Sequence, residues 1–315
     1  MQRVSRGSSL TLILLLLLLC LPSQAATRPE RAQQAITARS DALARWLDAF
    51  FDEPNVEAET ANSRLELRQS ITFSERESTK SRTRVSAKLN LPNLSRRVSL
   101  TFRGNADEAE LQDGAAQVFD DNEEDSLDDP TLGLQYIFKE KGNYHGSFSL
   151  GTRLDNPSVN FGPRFRYRHQ LTEQWRGRYT QRILWDTDDG WEGRTRLNFY
   201  RQLASGNLFR QSLRADWEES DRDTKGVRYT TKSAYIQRLS DEDALSYEVS
   251  SRYTSKPRTS WTAHTLSMRY RRNVWYKWMF FEAVPFIAFE KEHDWHPNPG
   301  FRLAFDIVFA ADPDA

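Results

Sequence analysis

Arginine recurs at every second position in several stretches of this chain: Arg164, Arg166 and Arg168; Arg176 and Arg178; Arg194 and Arg196; Arg269 and Arg271. Arg210 and Arg214, four apart, and Arg228 keep the same side of their own segments. A spacing of two puts side chains on one face of an extended strand. A guanidinium stays charged at any physiological pH and grips a carboxylate or phosphate through two parallel hydrogen bonds. Neighbouring strands carrying such faces would make a positive wall that concentrates anions and repels cations. Acids on the same faces are fewer, namely Glu66, Glu192, Asp216, Glu248, Glu282 and Asp306. These twelve arginines are the candidate anion-binding residues.

Other chemistries find less support. The five histidines are His145, His169, His264, His293 and His296. His145 and Ser147 come nearest to a Ser/His pairing, but no surrounding motif assigns them a reaction, and strand alternation is expected to keep them from converging. His293 and His296, beside Glu292 and Asp294, offer metal-ligating groups, yet a loop lacks the helical spacing that would bring both onto one ion. Asp120 to Asp125 lacks the Gly and the distant Glu of an EF-hand loop. There is no phosphate-cradling Gly loop. Neither a cofactor, a metal nor an enzymatic activity is expected.

The elements that carry the arginines read as strands. Gly300 to Phe309 is the clearest: Phe301, Leu303, Phe305, Ile307 and Phe309 alternate with Arg302, Ala304, Asp306 and Val308. Charge facing a dry core is costly unless paired, whereas the wet lumen of a membrane barrel accepts it. The same period of two begins at Ser63 and is interrupted by an acidic block. It gives about fourteen strands, within 12–16, in an up-and-down meander. The fold class expected is all-β, a transmembrane antiparallel barrel. Two further patterns separate it from a soluble sandwich. The connections around 74–82, 105–130, 218–226 and 291–300 are long and fall at one end, the opposite ones being short. Trp185, Trp191, Trp217, Trp261 and Trp295 sit near that end of their strands, and Trp175, Trp275 and Trp278 near the other, as aromatic girdles would.

The start of the chain places it. Arg3 and Arg6 precede an apolar run from Leu10 to Leu21 and small residues near Ala25, a secretory signal too short to span a bilayer. Cys20 falls inside it, after Leu19 where a lipidated cysteine would follow a small residue, so the mature chain has no cysteine and no disulfide or thiolate chemistry. The expected division is a signal peptide at 1–26, a periplasmic helical segment at 27–61, a barrel at 62–309 and a tail at 310–315. The helix is amphipathic, with Leu43, Trp46, Leu47, Phe50 and Phe51 on one stripe. Without residues 1–26 the chain has 42 basic and 44 acidic residues, a net of −2; Asn105 to Pro130 holds 11 acids and no Lys or Arg, so the remainder is +9. One acidic block masks a basic body. It is expected to be a solvated surface loop, with a lid over the lumen as the alternative.

The Gly300 to Phe309 strand resembles the C-terminal signal of Gram-negative outer-membrane β-barrel proteins, which ends in an aromatic residue preceded by alternating hydrophobics. That resemblance implies an outer-membrane location, with outer-membrane lipid, lipopolysaccharide and the assembly machinery as partners. The arginine-rich face looks like that of small oligogalacturonate-type porins for acidic sugars, as a class. The function expected is a porin-like channel for small anionic solutes. A structural or export barrel that anchors a periplasmic partner through Trp46, Leu47 and Phe50 is the alternative, followed by a lipid-modifying enzyme. Nucleic acid is not an expected partner, since the basic residues face a lumen and the compartment is wrong.

Overall fold

The computed structural model describes residues 63–91, 97–107, 131–141, 143–154, 157–172, 174–203, 205–220 and 225–310. The expected signal and helical segment, the acidic block beyond Asp107 and the tail after Ala310 lie outside them. The described chain forms β1 (Arg64–Ser74), β2 (Lys80–Asn90), β3 (Val98–Asp107), β4 (Thr131–Lys141), β5 (Tyr144–Arg153), β6 (Val159–Gln170) and β7 (Trp175–Asp186). It continues through β8 (Gly190–Gln202), β9 (Leu208–Glu218), β10 (Val227–Arg238), β11 (Asp243–Thr254), β12 (Ser260–Asn273), β13 (Met279–Glu290) and β14 (Pro297–Ala310). Each strand pairs antiparallel with its sequence neighbours, and β1 pairs with β14, so the sheet closes into a barrel with no free edge. The fourteen strands match the sequence expectation in number and order.

Closure sorts the side chains into two rows. One carries the large apolar residues, among them Leu65, Leu134, Leu150, Leu213, Val249, Leu266 and Ile287, all substantially exposed. The other holds the arginines, some buried and some partly open, together with the nearly inaccessible Asp186, Asp216, Glu248, Glu282 and Asp306. Only an inside-out arrangement explains this: the apolar row faces outward toward lipid and the charged row faces the barrel interior. Aromatic rings gather at both ends of the outward row. Phe161 lies 5.2 Å from Trp185, and Tyr253 lies 5.1 Å from Trp261, at one end. Trp278 stacks on Tyr276 and meets Phe309 at 4.8 Å at the other. The structure is that of an outer-membrane-type barrel.

The closing strand β14 starts at Pro297, four residues before Phe301 opens its apolar alternation. Its outward residues meet those of β1 in register, Phe301 opposite Phe73, Ile307 opposite Leu67 and Phe309 opposite Leu65. Gly300, on the inward row, is required by close approach: a Cβ there would lie 2.2 Å from the ring of Phe286 on β13 and 2.6 Å from the Phe73 carbonyl oxygen. The Phe286 ring thus occupies the space of the side chain its partner lacks.

The connections are sorted less sharply than the sequence suggests. The two longest, 108–130 and 219–226, do share one end. Those at 75–79 and 291–296, expected to be long, are short turns, because β2 begins at Lys80 and β14 at Pro297. Strand residues with polar or proline outward neighbours had read as loop.

Candidate functional site: the arginine wall

Register brings the arginines of β6 to β9 into continuous cross-strand rows. Arg164 lies opposite Arg182, which lies opposite Arg194, then Asp216 and Arg228. One step along, the row reads Arg166, Thr180, Arg196, Arg214 and Thr230. The next is Arg168, Arg178, Asn198, Ser212 and Lys232, and the last is Gln170, Arg176, Tyr200, Arg210 and Ala234. Successive rows are about 7 Å apart along a strand. Like charges directly opposite one another destabilise a sheet. This wall nevertheless places them so at Arg164 and Arg182, Arg182 and Arg194, Arg168 and Arg178, and Arg196 and Arg214.

Within the wall the arginines divide by exposure. Arg166, Arg178, Arg196 and Arg210 are nearly inaccessible, at 1–7%. Arg164, Arg168, Arg176, Arg182, Arg194, Arg214 and Arg228 remain partly open to the interior. The partners visible here are shared. Asp216 accepts from Arg194 Nε at 2.6 Å and from Arg214 Nε at 2.5 Å, so one carboxylate serves two cations. Arg178 donates to the Tyr200 hydroxyl at 2.5 Å and stacks over its ring. Arg228 pairs with Glu218 at the end of β9. Along β6 to β9 the inward row carries ten arginines, Arg164, Arg166, Arg168, Arg176, Arg178, Arg182, Arg194, Arg196, Arg210 and Arg214, against four acids, Asp186, Glu192, Asp216 and Glu218. Among the described residues, cations therefore outnumber acids in this sector.

The opposite sector is ion-paired and buried. Glu282, 0% exposed, accepts from Arg302 at 2.6 Å and Arg68 at 3.1 Å, with Arg271 at 3.4 Å and Arg269 at 3.5 Å. Asp306 takes Arg271 at 2.6 Å and Arg68 at 3.3 Å. Glu248 bridges Lys232 at 2.8 Å and Arg269 at 3.4 Å. Arg269 and Arg271, read from the sequence with the other ten candidates, thus belong to an ion-pair cluster of β10 to β14 and β1. Period two alone could not separate them, because it gives the face of a residue and not its cross-strand partner.

The histidines fall elsewhere. His145 and Ser147 are two apart on β5 and share its inward row, both buried, which corrects the expectation that they diverge. Ser147 Oγ accepts from Gln135 Nε2 at 3.2 Å. A different pair meets on the outward face: Ser251 Oγ lies 2.8 Å from His264 Nδ1 across the β11–β12 register. Trp261 and Trp295 flank that imidazole at 5.1 and 5.4 Å, and among the described residues no carboxylate holds its other nitrogen. The bond satisfies two polar groups that would otherwise meet lipid. Sequence reading missed it because the residues are thirteen apart. His293 and His296 do not share a centre; His296 Nδ1 lies against the His293 carbonyl oxygen at 3.1 Å.

No family model matches the chain, and no curated protein does. Solved structures with a similar barrel include the KdgM porin in complex with disordered oligogalacturonate, at 8% identity and TM-score 0.39, covering 78% of this chain and 99% of that one. OprD from Pseudomonas aeruginosa aligns at 9% identity and TM-score 0.43, over 80% of this chain and 94% of its own. OmpT of Vibrio cholerae, in its in-vitro folded trimer form, aligns at 8% and 0.43, over 79% and 100%. Likenesses of this size add nothing to what the barrel's own geometry carries: an even-stranded, closed, lipid-facing barrel with a cationic interior sector.

Proposed function

We propose that this protein is an outer-membrane channel through which small anionic solutes pass along the β6–β9 wall. The observation that carries the reading is the set of directly opposed arginines. A barrel stabilised only by its own contacts gains from alternating signs across strands, as the β10–β14 sector does. Guanidiniums set opposite one another form sites where an anion can bridge two of them. Four rows at about 7 Å intervals form a ladder roughly 20 Å long. A carboxylate or phosphate can pass from one row to the next without meeting bulk repulsion, and weak, multiple sites are what conduction requires. The partly open arginines, Arg164, Arg168, Arg176, Arg182, Arg194, Arg214 and Arg228, meet the solute. The buried ones supply field behind them.

The second reading is a filled barrel with a structural role, and the dry Glu282 cluster favours it. Single-channel recording of the refolded protein in a planar bilayer under a salt gradient separates the two. Discrete steps with anion preference, reduced or reversed by Arg182→Glu with Arg194→Glu, are expected. A silent bilayer, or a selectivity indifferent to those charges, overturns the channel.

A further inference from the structure

At the barrel rim, Glu290 ends β13 on the inward row and is 4% exposed. Its Oε2 is buried and takes no hydrogen bond. The turn that follows, Lys291–His293, brings Glu292 and His293 to the same point, and Glu77 reaches it from the β1–β2 connection. One ligand atom from each of the four lies within 4.8 Å of the others. His293 Nε2, also buried without a hydrogen bond, is 3.7 Å from Glu290 Oε2 and 3.8 Å from Glu292 Oε1.

Lys80 holds Glu77 at 2.8 Å. Lys291, in the turn itself, donates to Ser260 at 3.2 Å, and Arg76 donates to the Pro297 carbonyl at 3.2 Å. Three carboxylates and one imidazole therefore converge on one point at the rim.

We propose that Glu77, Glu290, Glu292 and His293 form a binding site for a divalent transition-metal ion of the zinc type. A divalent ion would bind carboxylates and imidazole together and give the buried Glu290 Oε2 and His293 Nε2, neither of which makes a hydrogen bond, a common ligand partner. An imidazole among carboxylates favours zinc or a similar borderline ion over calcium or magnesium, which take oxygen alone. Zinc bonds of about 2.1 Å set tetrahedral ligand atoms roughly 3.4 Å apart, so the observed group needs only side-chain contraction. The ion ties the β1–β2 connection to the β13–β14 turn beside the strand pair that closes the barrel. From the sequence no metal is expected at His293 and His296; Glu290 and Glu77 come from a strand end and from a connection more than 200 residues earlier.

The test is calorimetric titration of the tag-free, refolded protein in detergent micelles with zinc, and separately with calcium and magnesium, followed by cobalt(II) absorption spectroscopy. One zinc per barrel is expected, with affinity reduced at least about tenfold in Glu290→Gln and in His293→Gln and unchanged in His296→Gln. Cobalt should give the visible bands of a low-coordinate site with nitrogen ligation, and these should be lost in His293→Gln. Zinc binding no stronger than the detergent blank overturns the proposal. So does binding that both ligand variants leave unchanged, or equally tight calcium binding indifferent to His293→Gln. Should Glu290→Gln fail to refold, Glu292→Gln with His293→Gln, both at the turn surface, reads the same outcome.

Discussion

Glu282→Gln is the sharpest test of how the interior is built. The substitution keeps volume and removes one charge from a carboxylate that is 0% exposed and has four guanidiniums within 3.5 Å, those of Arg302, Arg68, Arg271 and Arg269. Asp306 then faces two of these arginines alone, and Glu248 a third. Breaking a buried ion pair from one side costs about 3–5 kcal/mol, because the partner charges stay buried without compensation. That corresponds to a change of roughly 10²–10⁴ in the unfolding equilibrium. Urea unfolding of the refolded protein in lipid vesicles, followed by tryptophan fluorescence, reads it directly. Asp241→Asn removes the Arg238 pair, whose carboxylate is 90% exposed, and serves as a control with no measurable change expected. Adding Arg302→Met to Glu282→Gln should recover part of the loss, since it removes one of the stranded cations. A loss below about 1 kcal/mol in Glu282→Gln would refute the assignment of this sector as a dry, interlocked wall.

Other consequences are open to measurement. Gly300→Val should displace the Phe286 ring and cost about 1–3 kcal/mol by overpacking, read in the same unfolding assay. Leu197→Arg, on the outward row in the middle of β8, should cost about 2–4 kcal/mol in a bilayer, whereas Ser212→Arg on the inward row of β9 should fold and raise anion preference. A fluorophosphonate probe should leave Ser251 unlabelled, because among the described residues no carboxylate orients His264; labelling lost in Ser251→Ala would make the pair a nucleophile and base.

Much of the architecture was legible in the chain because the period of two states which face a residue occupies. Phe301 to Phe309 announces a lipid-facing row, and Arg164, Arg166 and Arg168 an inward one, with no knowledge of neighbours. Register is a different kind of information. Nothing local to Arg182 tells that it stands between Arg164 and Arg194, and nothing local to Arg271 tells that Asp306 lies 2.6 Å away. The charge of the wall was therefore readable and its partition into rows of opposed arginines and an ion-paired cluster was not. The start of β14 was hidden for a related reason: Pro297 and Pro299 look like breakers, yet both sit on the outward row of the closing strand. Glu77 and Glu290 illustrate the limit, since only barrel closure makes them neighbours.

That closure has a bearing on the order of assembly. Arg68 belongs to the first strand, and its acceptors Glu282 and Asp306 belong to the last two, 214 and 238 residues away. Until β14 has arrived and zipped onto β1, the guanidinium and both carboxylates must keep their water, and a sheet still open at that seam holds hydrated charge where the finished wall is dry. Shedding that water and forming the pairs is a single late event that requires the whole chain. The cluster thus discriminates between a completed cylinder and one lacking its final strand, and a chain stopped short of Pro297 would carry its own solvated defect into the membrane.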